Sequence, residues 1–228
     1  MSRLEESVST WPANGLPGTL ADRTRRVYDR LSAVYPLSTM FFHSRAHRCA
    51  LESSGIRDGM KVLEVATGSG EMFRRLVRAN ASGSTIGVDL SPNMAARTQR
   101  VARRKFPEAQ THCQAVDARN MPFRTESFDA VFACYLLELL SSEDILSTLS
   151  EFRRVLRDRG RLTLVLIGQN TAFFNSIYKT LGRVAPAFWG RQVDERLPDI
   201  IESFRFKILQ ERVVRQTLYP SRVLVARK

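Results

Sequence analysis

The stretch V-L-E-V-A-T-G-S-G, from Val62 to Gly70, decides the fold of this chain. Its apolar half suits a buried strand, and its two glycines allow a tight turn that brings backbone N–H groups close to a ligand. Asp89 closes the next apolar run, where a carboxylate can accept both hydroxyls of a ribose. This pairing predicts a nucleotide-like cofactor. Phe73 stands where a dinucleotide motif carries Gly or Ala, which weighs against a dinucleotide.

Strand-like and helix-like segments alternate after this motif. Strands are predicted near 61 to 66, 84 to 89, 111 to 116, 128 to 134 and 161 to 167, and helices near 71 to 80, 92 to 104 and 142 to 157. Ser91 and Pro92 form a good helix start, and Ser141 or Ser142 suits the start of the last helix. This rhythm predicts an α/β fold with a doubly wound, mainly parallel sheet and helices on both faces.

The C-terminal third departs from that rhythm. The strand-like runs 206–214 and 222–226 are separated by a segment too short for a crossover helix. They are therefore expected to pair as an antiparallel hairpin, which completes a seven-stranded sheet.

The chain is expected to consist of a short N-terminal arm and one domain. Residues 1–20 are rich in Pro and Gly and are predicted to be a flexible arm, while 21–228 form one domain. Within that domain, residues 21–55 are predicted to form N-terminal helices interrupted at Pro36, which excludes one straight helix.

Composition indicates the size of the core, the cellular location and the state of the cysteines. With 228 residues, 43% of them hydrophobic, the chain can bury a full core. It carries no apolar run long enough for a transmembrane helix and no signal-peptide pattern, so we expect a cytoplasmic protein. Cys49, Cys113 and Cys134 are widely spaced and are expected to be buried thiols, not disulfides or zinc ligands.

The net charge of +12 is the compositional outlier, and most of the 35 basic residues are arginines. Such a surface attracts anions, so phospholipid head groups, a phosphorylated substrate and nucleic acid all fit. Arginine-rich codon usage explains the same composition without any partner.

Five motifs in order resemble those of class I S-adenosylmethionine-dependent methyltransferases, over about Val27 to Lys228. After the opening motif come G-V-D-L-S (87–91), D-A (117–118) with M-P-F (121–123), S-F-D-A-V (127–131) and R-V-L-R-D-R-G (154–160). The resemblance implies a methyltransferase fold ending in an antiparallel pair, with S-adenosyl-L-methionine as cofactor.

The resemblance also implies a role for each cofactor-site residue. Gly68 and Gly70 approach the methionine part, Asp89 binds the ribose diol, and Glu64 organises the cofactor loop. The adenine is expected to lie between Leu90 and Met94, with Asp117 accepting from its exocyclic amine. Further contacts are expected from Tyr28, Ala66, Thr67, Ala118, Cys134 and Tyr135. Two alternatives stay open: Met94 can be a core residue, and Asp129 is expected to bind backbone rather than act in catalysis.

The segment Y-D-R-L-S-A-V-Y, from Tyr28 to Tyr35, resembles the aromatic N-terminal signature of two subfamilies. These are the ubiquinone and menaquinone biosynthesis C-methyltransferases and the bacterial phosphatidylethanolamine N-methyltransferases. In both, this segment looks like a lid over the cofactor. Pro36 replaces the usual aspartate after the second tyrosine, which removes an acid from that position.

Methyl transfer from a sulfonium can proceed by positioning alone. Where a base is needed, the candidates are His43, Tyr35 and Glu138, although a solvated charge at a helix start is the somewhat favoured interpretation of Glu138. His43 and His47 stand four residues apart without a third ligand, so no metal is expected.

The expected acceptor is a lipophilic small molecule, either a quinone precursor or a phospholipid amine. We assign residues 168–204 to an acceptor-side insert. Its aromatic and basic stretch from Thr171 to Trp189 suits an anionic membrane surface, so the protein is predicted to be peripheral to the inner face of a membrane. A nucleic-acid methyltransferase is disfavoured, because A-C-Y-L (133–136) stands where an N-P-P-Y-type tetrapeptide is expected. A cofactor-binding protein without transfer activity is the remaining alternative. The sequence does not indicate an oligomeric state.

Overall fold

The computed structural model describes residues 35–168, 196–216 and 220–228, with side chains from residue 44 onward. Its described part contains a seven-stranded sheet with strand order β3-β2-β1-β4-β5-β7-β6. The strands are β1 (Lys61–Val65), β2 (Ser84–Asp89), β3 (Gln110–Ala115), β4 (Phe128–Cys134), β5 (Leu156–Ile167), β6 (Lys207–Val214) and β7 (Ser221–Arg227). The helices are α1 (Tyr35–Ser54), α2 (Glu71–Ala79), α3 (Pro92–Lys105), α4 (Ser142–Val155) and α5 (Leu197–Ser203), with a 3₁₀ turn at Leu137–Leu139.

Strands β1 to β5 run parallel, whereas β7 pairs antiparallel with both β5 and β6. The predicted fold class, a mainly parallel sheet that ends in an antiparallel hairpin, is thereby confirmed. The hairpin also has a positional consequence. Because β7 runs against its neighbour β5, its first residue, Ser221, lies beside Ile167 at the carboxyl end of β5.

The two faces of the sheet carry separate apolar cores. Val62 packs with Ala46 of α1 and Leu76 of α2 on one face. Leu63, the next residue along β1, packs with Phe152 of α4 on the other face. Successive side chains of a strand point to opposite faces, so Glu64 lies on the same face as Val62, the face covered by α1.

Helix starts follow the chemistry that the sequence predicts. Ser91 Oγ accepts a hydrogen bond from Met94 N at 3.2 Å at the start of α3, and Ser141 Oγ accepts from Asp144 N at 3.1 Å at the start of α4. Pro36 is the second residue of α1, within the first turn, where its missing N–H breaks no helical hydrogen bond. The helix expected before Pro36 and the flexible arm 1–20 lie outside the described residues.

One boundary differs from the prediction. Helix α4 ends at Val155, and β5 begins at Leu156 instead of about 161. Leu156 is buried and pairs with Phe128, after which the register shifts before Ala130 pairs with Arg161. The polar residues in between bulge outward, so their polarity hid the first part of the strand.

Asp129 has the structural role that the sequence favoured. Its Oδ2 accepts a hydrogen bond from Lys61 N at 2.7 Å, and its Oδ1 accepts from Arg157 Nη1 at 2.6 Å. The carboxylate therefore ties β1 to the start of β5 at the amino edge of the sheet, at the opposite end from Gly68 and Asp89.

Candidate functional site

The opening motif, G-V-D-L-S and D-A lie at the carboxyl ends of β1, β2 and β3, beside the carboxyl end of β4. Here the strand order reverses, since the chain proceeds from β1 through β2 to β3 on one side and returns to β4 on the other. Ligands of open α/β sheets bind at such switch points.

The loop after β1, residues 66–70, is the predicted cofactor loop, and it folds over the end of β2. Ala66 N and Thr67 N both donate to Val88 O, at 2.8 and 3.2 Å, and Gly70 N donates to Thr67 O at 2.8 Å. Ala66 has φ 65°, a left-handed conformation that is rare outside glycine. The strand thus ends abruptly, and strained backbone of this kind concentrates at functional sites.

The two motif glycines have different roles in this loop. Both have positive φ, 48° at Gly68 and 72° at Gly70. A Cβ at Gly68 would meet nothing nearer than 4.0 Å, so the space beside it is open to a ligand. A Cβ at Gly70 would come within 2.9 Å of Thr98 Oγ1, so this glycine lets the loop pack closely on α3.

Asp89 at the end of β2 is held from two sides. Its Oδ2 accepts from Gly68 N at 2.7 Å and its Oδ1 accepts from Ser91 N at 2.9 Å. The residue is 9% exposed, so the carboxylate is fixed in place but still reachable. This arrangement suits the predicted contact with a ribose diol.

Glu64 is the most conspicuous charge of the site. It is 1% exposed, and its Oε2 has no hydrogen-bond partner among the described residues. Burial, followed by repulsion from Asp89, raises the pKa of this carboxyl well above its usual value. Thr67 Oγ1 is likewise buried without a partner in the described part of the chain. Orphaned polar atoms of this kind are what a cationic or hydrogen-bonding ligand would satisfy.

Asp117 lies beside Asp89 at the sheet edge, because Val116 N donates to Asp89 O at 2.9 Å. Its Oδ1 and Oδ2 accept from Arg119 Nε at 3.0 and 3.1 Å, and Arg119 also binds Asp144 Oδ1 at 2.7 Å. The Arg119 hydrogen bonds lower the pKa of Asp117 and keep it ionised. The expected contact with an adenine amine must therefore share a carboxylate that Arg119 already occupies.

The three remaining residues of the predicted adenine side differ in burial. Leu90 and Ala118 are partly exposed, whereas Met94 is fully buried in α3. Met94 therefore occupies the core position that the sequence left open as an alternative, and its contact with adenine stays a prediction.

Cys134 and Tyr135 end β4, beside the cofactor loop. Tyr135 has φ 55°, and its N–H donates to Val165 O at 2.7 Å, which holds the turn against β5. Burial raises the pKa of the Cys134 thiol well above its usual value and also raises that of the Tyr135 phenol. Both groups therefore stay protonated at neutral pH.

A hydrogen-bonded group that the sequence did not reveal lies at the same end of β4. Tyr135 Oη lies 2.8 Å from Ser221 Oγ, and Gln216 Nε2 donates to both oxygens. Gln216 Oε1 is buried without a partner among the described residues. The ring of His47, a buried residue of α1, packs 6.1 Å from that of Tyr135. We call Tyr135, Ser221 and Gln216 the hydroxyl cluster.

Glu138 differs from its sequence-based interpretation as a solvated charge. It is 2% exposed, and its Oε1 accepts from Ile167 N at 2.6 Å, which links the ends of β4 and β5. Burial raises its pKa to about 7. The interpretation failed because the 3₁₀ turn Leu137–Leu139 points the side chain inward, and no local pattern marks that turn.

Several residues that the sequence assigned to the site lie outside the part of the chain that the structure describes. Tyr28, the stretch from Thr171 to Trp189 and the side chains of Tyr35 and His43 are not among the described parts, although α1 carries the last two residues. In the described part, no group of three or more His, Cys, Asp or Glu side chains is arranged to hold a metal ion. The three cysteines are free thiols. No described helix is long and apolar enough to cross a membrane.

Comparison with known proteins identifies the family. A methyltransferase domain model matches residues 62–160, which contain the cofactor loop, Asp89 and the end of β4. The ubiquinone/menaquinone biosynthesis C-methyltransferase UbiE of Cellvibrio japonicus is 30% identical over 185 residues, covering 76% of this chain and 71% of that protein. The chain belongs to the class I S-adenosylmethionine-dependent methyltransferases.

Two further similarities place the methyltransferase among its relatives. The 2-phytyl-1,4-naphthoquinone methyltransferase of Trichormus variabilis is 26% identical over 151 residues, covering 64% of this chain and 65% of that protein's length. The structure of the N-methyltransferase NodS from Bradyrhizobium japonicum, solved with S-adenosyl-L-homocysteine, superposes with a TM-score of 0.72 at 14% identity over 90% of this chain and 98% of that one. At that identity the likeness shows the fold.

S-adenosylmethionine is the cofactor, and the site fits it. The open space beside Gly68, the fixed carboxylate of Asp89 and the orphaned Glu64 Oε2 offer room, an acceptor for hydroxyls and a buried carboxyl that a nearby cation would favour in its ionised form. The cofactor supplies a methyl group on a positively charged sulfur, so a buried carboxylate nearby is electrostatically favourable.

Proposed function

We propose that this methyltransferase transfers the methyl group of S-adenosylmethionine to a lipophilic small molecule, and that the acceptor is a quinone precursor. The observation that carries the proposal is that a pair of carboxylates and an uncharged polar group lie side by side at the carboxyl ends of neighbouring strands. The carboxylates of Glu64 and Asp89 lie around the cofactor loop, and an uncharged polar group lies next to them at Tyr135.

The relatives favour a quinone precursor over the alternative, a phospholipid amine. One is a ubiquinone/menaquinone biosynthesis C-methyltransferase and another acts on 2-phytyl-1,4-naphthoquinone, as their names state. The first name places a C-methyltransferase in quinone biosynthesis, and the second names a quinone as the methylated compound. We extend that acceptor class to this chain.

Methylation of a hydroquinone ring carbon calls for loss of a hydroxyl proton, so that the ring becomes nucleophilic. With S-adenosylmethionine bound, the ring carbon would take the methyl group and the carbon–sulfur electron pair would stay on sulfur, giving S-adenosyl-L-homocysteine. The ring proton would then pass to water, and the base would return its proton to the hydroxyl oxygen. Glu138 is the described carboxyl suited to take a proton, because its pKa of about 7 leaves it partly ionised at neutral pH. We assign it as the candidate base, together with His43 and Tyr35 on α1.

Transfer of labelled methyl tests this function. The purified chain is incubated with tritiated S-adenosylmethionine and 2-phytyl-1,4-naphthoquinone kept reduced by dithionite, and the organic extract is counted. Phosphatidylethanolamine in mixed micelles and total RNA serve as competing acceptors. Label in the naphthoquinol fraction alone supports the proposal. Label in the phospholipid or the RNA would replace it with the corresponding alternative, and cofactor binding without any labelled product would leave a binding protein.

Association with an anionic membrane is a second part of the proposal. Helix α3 carries Arg97, Arg100, Arg103, Arg104 and Lys105 and no acidic residue, which supports attraction to anionic lipid. We expect the chain to sediment with vesicles of phosphatidylcholine and phosphatidylglycerol but not with phosphatidylcholine alone. Equal absence from both pellets would contradict the association.

A further inference from the structure

The hydroxyl cluster contains a buried hydrogen-bond acceptor that has no donor among the described residues. Both hydrogens of Gln216 Nε2 are directed to Tyr135 Oη, at 3.2 Å, and to Ser221 Oγ, at 2.5 Å. The carbonyl oxygen of the same amide, Oε1, is buried and has no partner among the described residues. A buried acceptor that is left unsatisfied is destabilising, and it is explained where a ligand supplies the missing donor.

The position of the cluster is on the acceptor side of the cofactor site. Ala133 of β4 pairs with Val65 of β1, so Tyr135 follows β4 at the level where the cofactor loop follows β1. Neighbouring strands lie about 4.8 Å apart, so the two features are adjacent at the sheet edge. Ser221 lies two strands further on, because the antiparallel β7 begins at this edge.

The chemistry of the cluster distinguishes between classes of acceptor. Its three members are a phenol, an alcohol and an amide, none of which carries a charge. Burial holds Tyr135 in its protonated form. A neutral hydroxyl exchanges hydrogen bonds with such neighbours at little cost, whereas an ammonium group would lose its hydration and find a counter-charge only in Glu138, whose pKa burial raises to about 7.

We infer that Tyr135, Ser221 and Gln216 receive a ring hydroxyl of the methyl acceptor, so that the acceptor is a phenol or hydroquinone and not an amine. The ligand hydroxyl donates to Gln216 Oε1, and its oxygen can in turn accept from the hydroxyl pair. This inference rests on the proposed function, because it names the group by which the acceptor of that reaction is held.

Binding without turnover tests the inference. The chain is saturated with S-adenosyl-L-homocysteine, and the Kd values of 1,4-dihydroxynaphthalene and 1,4-dimethoxynaphthalene are measured anaerobically by calorimetry. The wild-type chain should bind the diol about tenfold more tightly than the dimethyl ether, equivalent to about 1.4 kcal/mol. Gln216→Leu should reduce that preference to near one, because the acceptor for the ligand hydroxyl is gone.

Matched variants separate this effect from damage to the fold. Gln110→Leu makes the same change at an exposed position of the edge strand β3 and should keep the wild-type preference. Ser221→Ala removes only one hydroxyl of the cluster and should lower the preference part of the way. S-adenosylhomocysteine affinity within twofold of wild type verifies each fold. If Gln216→Leu fails that check, Ser221→Ala decides in its place.

The outcomes distinguish the inference from the function on which it rests. Equal binding of the two naphthalenes by the wild-type chain, or an unchanged preference in Gln216→Leu, would overturn the inference even if labelled methyl reaches a quinol. Stronger binding of lysophosphatidylethanolamine micelles than of the diol would also overturn it. A preference that depends on Gln216, combined with no methyl transfer to any quinol, would uphold the binding site and refute the proposed reaction.

Discussion

Gly68 N lies 2.7 Å from Asp89 Oδ2, a hydrogen bond that joins the loop after β1 to the end of β2. The other carboxylate oxygen accepts from Ser91 N at the start of α3. Asp89 therefore orients the loop after β1, and the proposed ribose contact would be a second role of the same carboxylate.

Replacement of Asp89 by Ala should weaken cofactor binding by about 10- to 100-fold, the range expected for loss of hydrogen bonds to a charged group. Titration calorimetry with S-adenosylmethionine measures the change. Asp158→Ala, at a highly exposed carboxylate of the bulge in β5, is the control and should bind normally. Wild-type affinity in Asp89→Ala would contradict the assignment of the ribose site.

Glu64→Gln should raise the free energy of unfolding of the ligand-free protein and weaken its binding of S-adenosylmethionine. Because the pKa of the folded Glu64 is raised, the folded state holds the proton more tightly than the unfolded chain, and ionisation destabilises the fold as pH rises. Urea denaturation at pH 8 should show a gain of about 1 kcal/mol in the free energy of unfolding. A variant that is less stable than wild type at pH 8 would show that the buried charge is compensated.

Gly70→Ala should be more destabilising than Gly59→Ala. Both glycines have positive φ, so each substitution incurs backbone strain of about 1 kcal/mol. Only at Gly70 does the new Cβ also meet a neighbour, Thr98 Oγ1 at 2.9 Å, while the space around Gly59 is empty within 4 Å. Urea denaturation of the two variants compares the costs, and equal losses would mean that the loop moves away from α3 freely.

Glu138→Gln should change how stability depends on pH. The wild-type carboxyl has a folded pKa of about 7 and an ordinary value of 4.5, so its contribution is present below pH 4.5 and is lost as pH rises to 7. Between pH 4.5 and 7, the free energy of unfolding of the variant should rise relative to that of wild type by up to about 3 kcal/mol. Above pH 7 the difference between the two proteins should stay constant. Thermal denaturation at pH 4.5, 6 and 8 measures this. A difference that does not vary with pH would place the carboxyl in contact with water.

Asp117→Ala and Arg119→Ala distinguish an adenine contact from a purely structural ion pair. If Asp117 binds the cofactor, only its own removal should reduce affinity, by about tenfold, because Arg119→Ala leaves the carboxylate in place. The pair is about one third exposed, so either variant should cost less than about 1 kcal/mol of stability. Equal weakening of cofactor binding in both variants would assign Asp117 to positioning the loop through Arg119.

The local parts of this site were predictable from the sequence. The apolar run with its glycines fixed β1 and the loop, Ser91 marked the start of α3, and the short link after Val214 required a hairpin. Each of these follows from backbone conformation or hydrogen-bonding capacity within a few residues.

The long-range parts were not predictable. Tyr135 and Ser221 are 86 residues apart and meet only because β7 inserts antiparallel beside β5. Glu138 resembles a surface charge in the sequence, but in the structure its carboxylate is buried and accepts a hydrogen bond from Ile167 N, 29 residues away. The sequence carries no periodic signal for such contacts, because they depend on register and side-chain direction across the whole sheet.

The order of strands has an evolutionary consequence. Gly68, Glu64 and Asp89, which fit the methyl donor, are supplied by β1, β2 and the loop after β1, while Ser221 and Gln216 of the hydroxyl cluster come from the terminal hairpin. If the hydroxyl cluster holds the acceptor as inferred, substitutions in the hairpin should change which molecule is methylated and leave Gly68, Glu64 and Asp89 in place.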